Sequence, residues 1–489
     1  MRRFLLFLFL FAGFSLLAQP MREIRAVWLT TNHALDWPES PVHNQNDAIR
    51  QQQEFCRILD ELKQANFNVV FLQTRIRGDV IYPSKIEPWS RFVRCDHSLN
   101  PDYDPLAFAI EACHERGLEC HVWFVTFPLG LEKIKGISNK SPTVAGNKDL
   151  VKKFKGELFL DPGNPQTQSY LISLIREIVS TYDIDGFHFD YIRYPDRASD
   201  FPDRDTYKKY GQKQDIDTWR RNNLNQFVYA AYDTIKSMKP WVVVSSSVLG
   251  MYQKIPGNTQ AHWTAYSSVF QDPGDWLSKG KHDLIVPMMY FSDDLFYPFV
   301  KNWQDHSFNR YVVPGIGLYR MDQNEGGWNV STVLDQLRYS RLSQTQGNAF
   351  YRARYLMDNT NNISDSIKMA FYQYPSHIPP FYWLDSIAPA VPDKPDAVQS
   401  EDFLKISWTE HPDVSEKLYY NVYCSEKYPV DIENPENLLA ARIWGDSFIL
   451  PVDRSREKGY YFLITASDRY HNESEPSRVV FYYMGSLEK

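Results

Sequence analysis

Short apolar runs alternate with amphipathic stretches from residue 24 to about residue 350. Ile24 to Thr30, Asn68 to Gln73, Glu119 to Phe124 and Gly186 to Phe189 read as buried strands. Between them, Asp47 to Ala65, Pro105 to Arg116 and Pro165 to Tyr182 carry apolar residues at helical spacing. In the first helix Ile49, Phe55, Cys56, Leu59 and Leu62 share a face; in the third, Leu171, Ile172, Leu174, Ile175, Ile178 and Val179 do. A polar loop to about Tyr210 leads into a helix that ends at Met238, before Pro240. Trp241 to Ser247, Leu284 to Met289, Tyr311 to Pro314 and Asn348 to Tyr351 complete eight strands, with a helix over Asn329 to Arg341. Eight strand–helix steps predict an α/β fold, a (β/α)8 TIM barrel with long loops. The alternative, a doubly wound sheet, lacks a glycine-rich phosphate loop after the first strand.

The pattern changes at both ends. Residues 1–18 read as a signal peptide: Arg2 and Arg3, the apolar run Phe4 to Leu17, and Ala18 before Gln19. That run is short for a membrane span, so the mature chain, with no transmembrane segment, is expected to be exported to the periplasm, cell surface or medium. The barrel is assigned residues 19–388. Pro389, Pro392 and Pro395 mark a linker. Residues 389–489 then show short alternating strands: Leu404 to Trp408, Tyr419 to Cys424, Tyr460 to Ala466 and Val479 to Tyr483. This resembles a fibronectin type III sandwich. Ile406-Ser407-Trp408, Tyr420 to Tyr423, and Tyr461 to Asp468 followed by Asn472-Glu473-Ser474 carry the resemblance. Spacing or docking is the role expected of this region.

Composition narrows the function. Of 489 residues, 53 are Lys or Arg and 60 Asp or Glu, a net charge of -7, so no basic footprint for nucleic acid exists. The 31 Tyr, 30 Phe and 13 Trp supply a core and also the flat faces that sugar clefts use. Cys56, Cys95, Cys113, Cys120 and Cys424 are odd in number, and their spacing suits neither zinc nor a disulfide framework. No His-x-His or His-Glu-x-x-His pair and no Gly-x-Ser-x-Gly is present. No cofactor is expected.

The chemistry centres on Asp185-Gly186-Phe187-His188-Phe189-Asp190-Tyr191-Ile192-Arg193-Tyr194-Pro195. Asp190 falls at the carboxyl end of a buried strand, where a barrel gathers its functional loops. Asp185, at the other end, reads as structural. Other strand ends supply candidate carbohydrate ligands: Arg75, Arg77, Asp79, His121, Trp123, His188, Tyr191, Arg193, Tyr290 and Tyr319. Glycoside hydrolysis normally uses two carboxyl groups. Asp161, Asp293 and Asp294 are the candidates for the second, with Asp79 and Glu325 also in loops; Asp161 could equally cap the helix that starts near Pro165.

The ordered set Arg22 to Thr30, Asn68 to Gln73, Arg77-Gly78-Asp79, Tyr82-Pro83-Ser84, Glu87-Pro88-Trp89-Ser90, His121 to Phe124, Leu160 to Pro165, Asp185 to Pro195 and Pro314 to Tyr319 resembles the glycosyl-hydrolase-like family 10 proteins, exported bacterial relatives of the α-amylase barrels. The resemblance implies a (β/α)8 glycosidase and, as for some members, action on peptidoglycan strands whose stem peptides are gone. It puts Asp190 at the nucleophile position of an Asp-Gly-Phe-Arg-x-Asp pattern. His188 stands where that pattern has Arg, and the fifth strand carries no Glu. The expectation is an exported glycoside hydrolase of peptidoglycan or a related polysaccharide. A non-catalytic glycan-binding protein of the cell surface is the alternative, and a surface interaction protein working through the C-terminal region is a third reading.

Overall fold

The computed structural model describes residues 19–94, 104–134, 137–138, 141–258, 262–400, 402–409, 417–453, 458–483 and 486–487. The proposed signal segment and Cys95 lie outside the described residues. Eight strands form the barrel: β1 Ile24–Leu29, β2 Val69–Arg75, β3 Glu119–Val125, β4 Gly186–Asp190, β5 Val243–Leu249, β6 Leu284–Met288, β7 split as Tyr311–Val312 and Gly315–Gly317, and β8 Gly347–Tyr351. Each pairs in parallel with its neighbours, and Ala26 opposite Ala349 joins β1 to β8, so the sheet closes. Closure removes every sheet edge.

Helices on the outside connect the strands: α1 Gln45–Gln64, α2 Pro105–Glu115, α3 Pro165–Thr181, α4 Ile216–Met238, α5 Pro273–Ser278, α6 Asp293–Asp305, α7 Val330–Leu342 and α8 Ile363–Ala370. α1 starts two residues earlier than its apolar pattern indicates, because Asn44 and Asp47 form a reciprocal capping box. Its buried stripe is Gln51, Phe55, Ile58, Leu59 and Leu62; Ile49, which the pattern put on that face, is 45% exposed. β5 runs two residues later than expected, and Trp241 lies outside it under the Arg469 guanidinium. The loop after β3 holds a small antiparallel sheet, Pro128–Leu131, Glu157–Leu160 and Val151–Phe154, that the alternation did not announce.

The C-terminal region is all β: β9 Asp396–Ser400, β10 Phe403–Ser407, β11 Tyr419–Ser425, β12 Leu438–Ile443, β13 Ser447–Asp453, β14 Gly459–Ser467, β15 Val480–Tyr483 and β16 Ser486–Leu487. Two antiparallel sheets, in the orders β9-β10-β13-β16 and β12-β11-β14-β15, enclose Leu404, Ile406, Trp408, Val422, Phe462 and Ile464. This arrangement fits the fibronectin type III resemblance. β9, β12, β13 and β16 escaped the sequence reading; β9 is largely exposed.

The two regions meet at the amino ends of the barrel strands. Arg442, at φ +57°, inserts its guanidinium between Glu119 and Asp185, donating to Asp185 Oδ1 at 2.9 Å. Asp185 Oδ2 accepts the Cys120 N–H at 2.9 Å and lies 2.8 Å from His114 Nε2. Arg469 and Lys417 bind Asp183 around the same contact. Cys56, Cys113 and Cys120 are free thiols.

Candidate active site

At the other end of β4 the chain builds a different environment. Side chains alternate along a strand, so His188 and Asp190 share the face turned into the barrel. Asp190 is buried and ends the strand at the floor of a cleft of about 560 Å³. Its Oδ2 accepts Trp123 Nε1–H at 3.0 Å, and its Oδ1 accepts the Tyr191 N–H at 2.7 Å. One donor on each oxygen fixes the plane of the carboxyl group. Burial pushes its pKa up to about 6, against the pull of the two hydrogen bonds and of Arg193. The proton therefore leaves within the physiological range.

Tyr191 holds φ +55°, a left-handed conformation that costs a tyrosine on the order of 1–3 kcal/mol. That turn leaves its ring 40% exposed at the cleft wall, with the Arg193 guanidinium 4.7 Å over it. Tyr290 and Tyr351 stack at 5.6 Å, and Tyr319 meets both edge-on at 5.7 and 6.0 Å. Trp28 and Trp123 both meet Tyr351 nearly edge-on. This aromatic surround suits the apolar faces of a pyranose ring, with the hydroxyls left for Asp190 and the tyrosines.

Asp190, Arg77, Trp123, Tyr191, Arg193, Tyr290 and Tyr319 are thus gathered on one cleft. The other residues singled out in the sequence lie elsewhere. His188 packs below the floor, stacked on Phe71 at 4.0 Å, with its ring nitrogens engaged by Trp28, Ser245 and Ser247. Burial holds it well below the usual histidine range, so it is neutral and positions Trp28 and Ser247. His121 pairs with Glu119 toward the amino end of β3. Arg75 is enclosed: Glu87 takes it in a fork at 2.6 and 2.8 Å, and the carbonyls of Val125 and Thr126 take the rest. Asp79 accepts the Arg77 N–H and shapes a turn; burial raises its pKa to about 6.

Of the proposed partners for Asp190, Asp161 is buried away from the cleft, accepting Gly163 N–H at 3.0 Å and Thr206 Oγ1–H at 2.5 Å. Asn164 caps α3 in its stead. Asp294 and Glu325 are exposed and do not line the cleft. Asp293 opens α6, and its side chain lies outside the described residues. The described carboxylates that do line the cleft besides Asp190 are Asp196, tied to Arg193 at 3.0 Å, and Glu157.

Sequence reading missed Trp28, Ser247, Tyr351 and Glu157. The first three follow from alternation: each is an inward position near the carboxyl end of its strand. Glu157 had no such signal, because its hairpin is an insertion after β3. Among the described residues no group of three His, Cys, Asp or Glu is placed to hold a metal ion.

Comparison with known proteins gives the family. The profile of the glycosyl hydrolase-like 10 family matches residues 23–311. Glycosyl hydrolase YngK of Bacillus subtilis is 30% identical over 486 residues, covering 94% of each chain. Glycosyl hydrolase DigH of Escherichia coli K12 is 30% identical over 374 residues, covering 69% of this chain and 84% of its own. Among solved structures, the PgaB (BpsB) glycoside hydrolase domain of Bordetella bronchiseptica aligns over 72% of this chain and 99% of its own, at 13% identity and a TM-score of 0.49. The chain belongs to the glycosyl hydrolase-like 10 family and is a glycoside hydrolase.

Proposed function

We propose that this glycoside hydrolase is exported and cleaves the glycan strands of peptidoglycan after their stem peptides have been removed, with Asp190 as the catalytic carboxylate. The observation that carries the reading is Asp190 itself: a buried carboxyl on a rigid strand end, oriented by two N–H donors, at the floor of an aromatic cleft. Ionised above about pH 6, it offers a negative charge beneath the anomeric carbon. It would stabilise the oxocarbenium-like transition state or attack it to form a glycosyl ester. Trp123 keeps the attacking oxygen aligned, while Tyr290 and Tyr351 exclude water and stack the ring. The apolar run Phe4 to Leu17 behind Arg2 and Arg3 supports export. Among the described residues no helix is long and apolar enough to cross a membrane.

Mass spectrometry of soluble products tests the reading. Peptide-free glycan strands, intact sacculi and a panel of polysaccharides are incubated with wild type and with Asp190→Asn. Saccharides released from peptide-free strands by wild type alone are the expected result. Equal release by the variant would remove Asp190 from the chemistry, and release from other polysaccharides only would remove the peptidoglycan assignment.

A further inference from the structure

One cation in the cleft is held in place without a partner among the described residues. Arg77 stands in the loop after β2, in a turn secured from several sides. Asp79 Oδ1 accepts the Arg77 N–H at 3.3 Å, and the Ile76 N–H donates to the Asp79 carbonyl at 3.0 Å. Gly78 adopts φ +78°, and its carbonyl accepts Thr143 Oγ1–H at 2.6 Å. The arginine stem runs along Gly130, where an added methyl group would sit 3.3 Å from Arg77 Cδ and 3.5 Å from Cβ. The side chain is thus channelled into the cleft, close enough for its charge to act on Tyr191, the residue after Asp190.

The other cations that line the cleft are matched. Arg193 pairs with Asp196 at 3.0 Å, and Lys155 lies 3.9 Å from Asp200. Arg75, two residues before Arg77, is closed by its fork with Glu87. Arg77 alone of the cleft arginines makes no ion pair and no side-chain hydrogen bond among the described residues, and Glu157 does not pair with it. A guanidinium with a free fork matches a planar carboxylate in geometry as well as charge, and a positioned one binds at lower entropic cost.

We propose that Arg77 binds a carboxylate carried by the glycan, in a subsite beside the sugar that sits over Asp190, so that this cleft selects acidic strands. The inference rests on the reading of the cleft as a glycan-cleaving site. Two sources present the same anion: the lactyl ether of a muramic acid without its peptide, and the C6 carboxylate of a uronic acid. In a strand that still bears peptides the lactyl group is an amide, which offers no anionic pair of oxygens to the fork. Arg77 would then read directly whether the peptide has been removed.

Calorimetric titration of the full-length Asp190→Asn protein, alone and combined with Arg77→Gln or Arg77→Lys, tests this. The ligands are peptide-free peptidoglycan oligomers and the same oligomers with their carboxylates converted to methylamides. An oligogalacturonide and its methyl ester form a second pair. Within at least one pair the acid is expected to bind about tenfold tighter than its neutral counterpart, with Arg77→Gln abolishing the ratio and Arg77→Lys keeping part of it. In otherwise wild-type enzyme Arg77→Gln is expected to raise KM by a similar factor, with kcat within about twofold. Equal binding of acid and neutral members in both pairs overturns the proposal. So does a preference that survives Arg77→Gln, or failure of all four ligands to bind. Discrimination within the uronide pair alone keeps the carboxylate assignment and overturns the peptidoglycan substrate.

Discussion

Asp185 and Asp190 flank the same five-residue strand, both are buried, and they titrate in opposite directions. Burial is the largest influence on each and by itself raises both. At Asp185 it is outweighed by His114 and Arg442, which hold the carboxyl well below the usual range. At Asp190 the donors are a neutral indole and a backbone N–H, with Arg193 acting from farther away, so burial prevails and the pKa reaches about 6. The strand therefore carries a carboxylate locked as a structural ion at one end and a proton-exchanging one at the other. Cationic partners, not burial, separate a carboxylate that stays ionised from one that titrates near neutral pH.

Removing the cation from the locked end should have the largest effect. Arg442→Met leaves Glu119 and Asp185 buried without it and is expected to cost about 3–5 kcal/mol in urea unfolding, while folded variant keeps its kcat/KM within about twofold. A loss under about 1 kcal/mol would mean that water replaces the guanidinium and that the two ends differ less than their contacts indicate. At the Asp190 end the sign reverses. The native pKa of Asp190 lies above the ordinary carboxylate value of about 3.9, so the native state holds the proton more tightly. Its favourable contribution is present below about pH 4 and is lost as pH rises through about 6. Asp190→Asn should thus gain on the order of 1–3 kcal/mol over wild type at about pH 8, with the gain vanishing below about pH 4. Thermal melts across pH check this, and a gain independent of pH would contradict the assignment.

Smaller effects sharpen the picture. Glu157 pairs with Leu131, five residues up the hairpin from Thr126, whose N–H binds the Asp190 carbonyl. Glu157 thus sits on the hairpin after β3 and not on a barrel strand, so Glu157→Gln is expected to lower kcat/KM no more than about tenfold. A loss equal to that of Asp190→Asn would make Glu157 the proton donor. Trp123→Phe deletes a donor that lowers the pKa of Asp190, so the acidic limb of the kcat/KM profile should move upward by up to about one pH unit.

Much of this was legible in the sequence for a physical reason. Barrel strands buried on both faces write themselves as apolar runs, and all eight were located, with β5 displaced by two residues. Asp190 was legible because a strand end in a barrel has a fixed meaning. Arg75 and Arg77 were not separable, since both are polar residues after the same strand; only the fold shows that Glu87 closes around one of them. Asp161 shares its turn-forming chemistry with a helix cap, and its partner Thr206 is 45 residues away. Glu157 and the Arg442 partner of Asp185 depend on an insertion and on the C-terminal sheets, contacts that no local pattern encodes.

Asp185, just before β4, and Asp190, at its end, are proposed to divide structure from chemistry. Steady-state kcat/KM of Asp190→Asn and Asp185→Asn on the substrate that wild type cleaves, each normalised to folded protein by circular dichroism, tests it most directly. Asp190→Asn is expected to lose about a thousandfold or more while remaining folded, and Asp185→Asn to stay within about threefold while melting at lower temperature. Asp190→Asn within about tenfold of wild type, or Asp185→Asn as inactive as Asp190→Asn while fully folded, would contradict it.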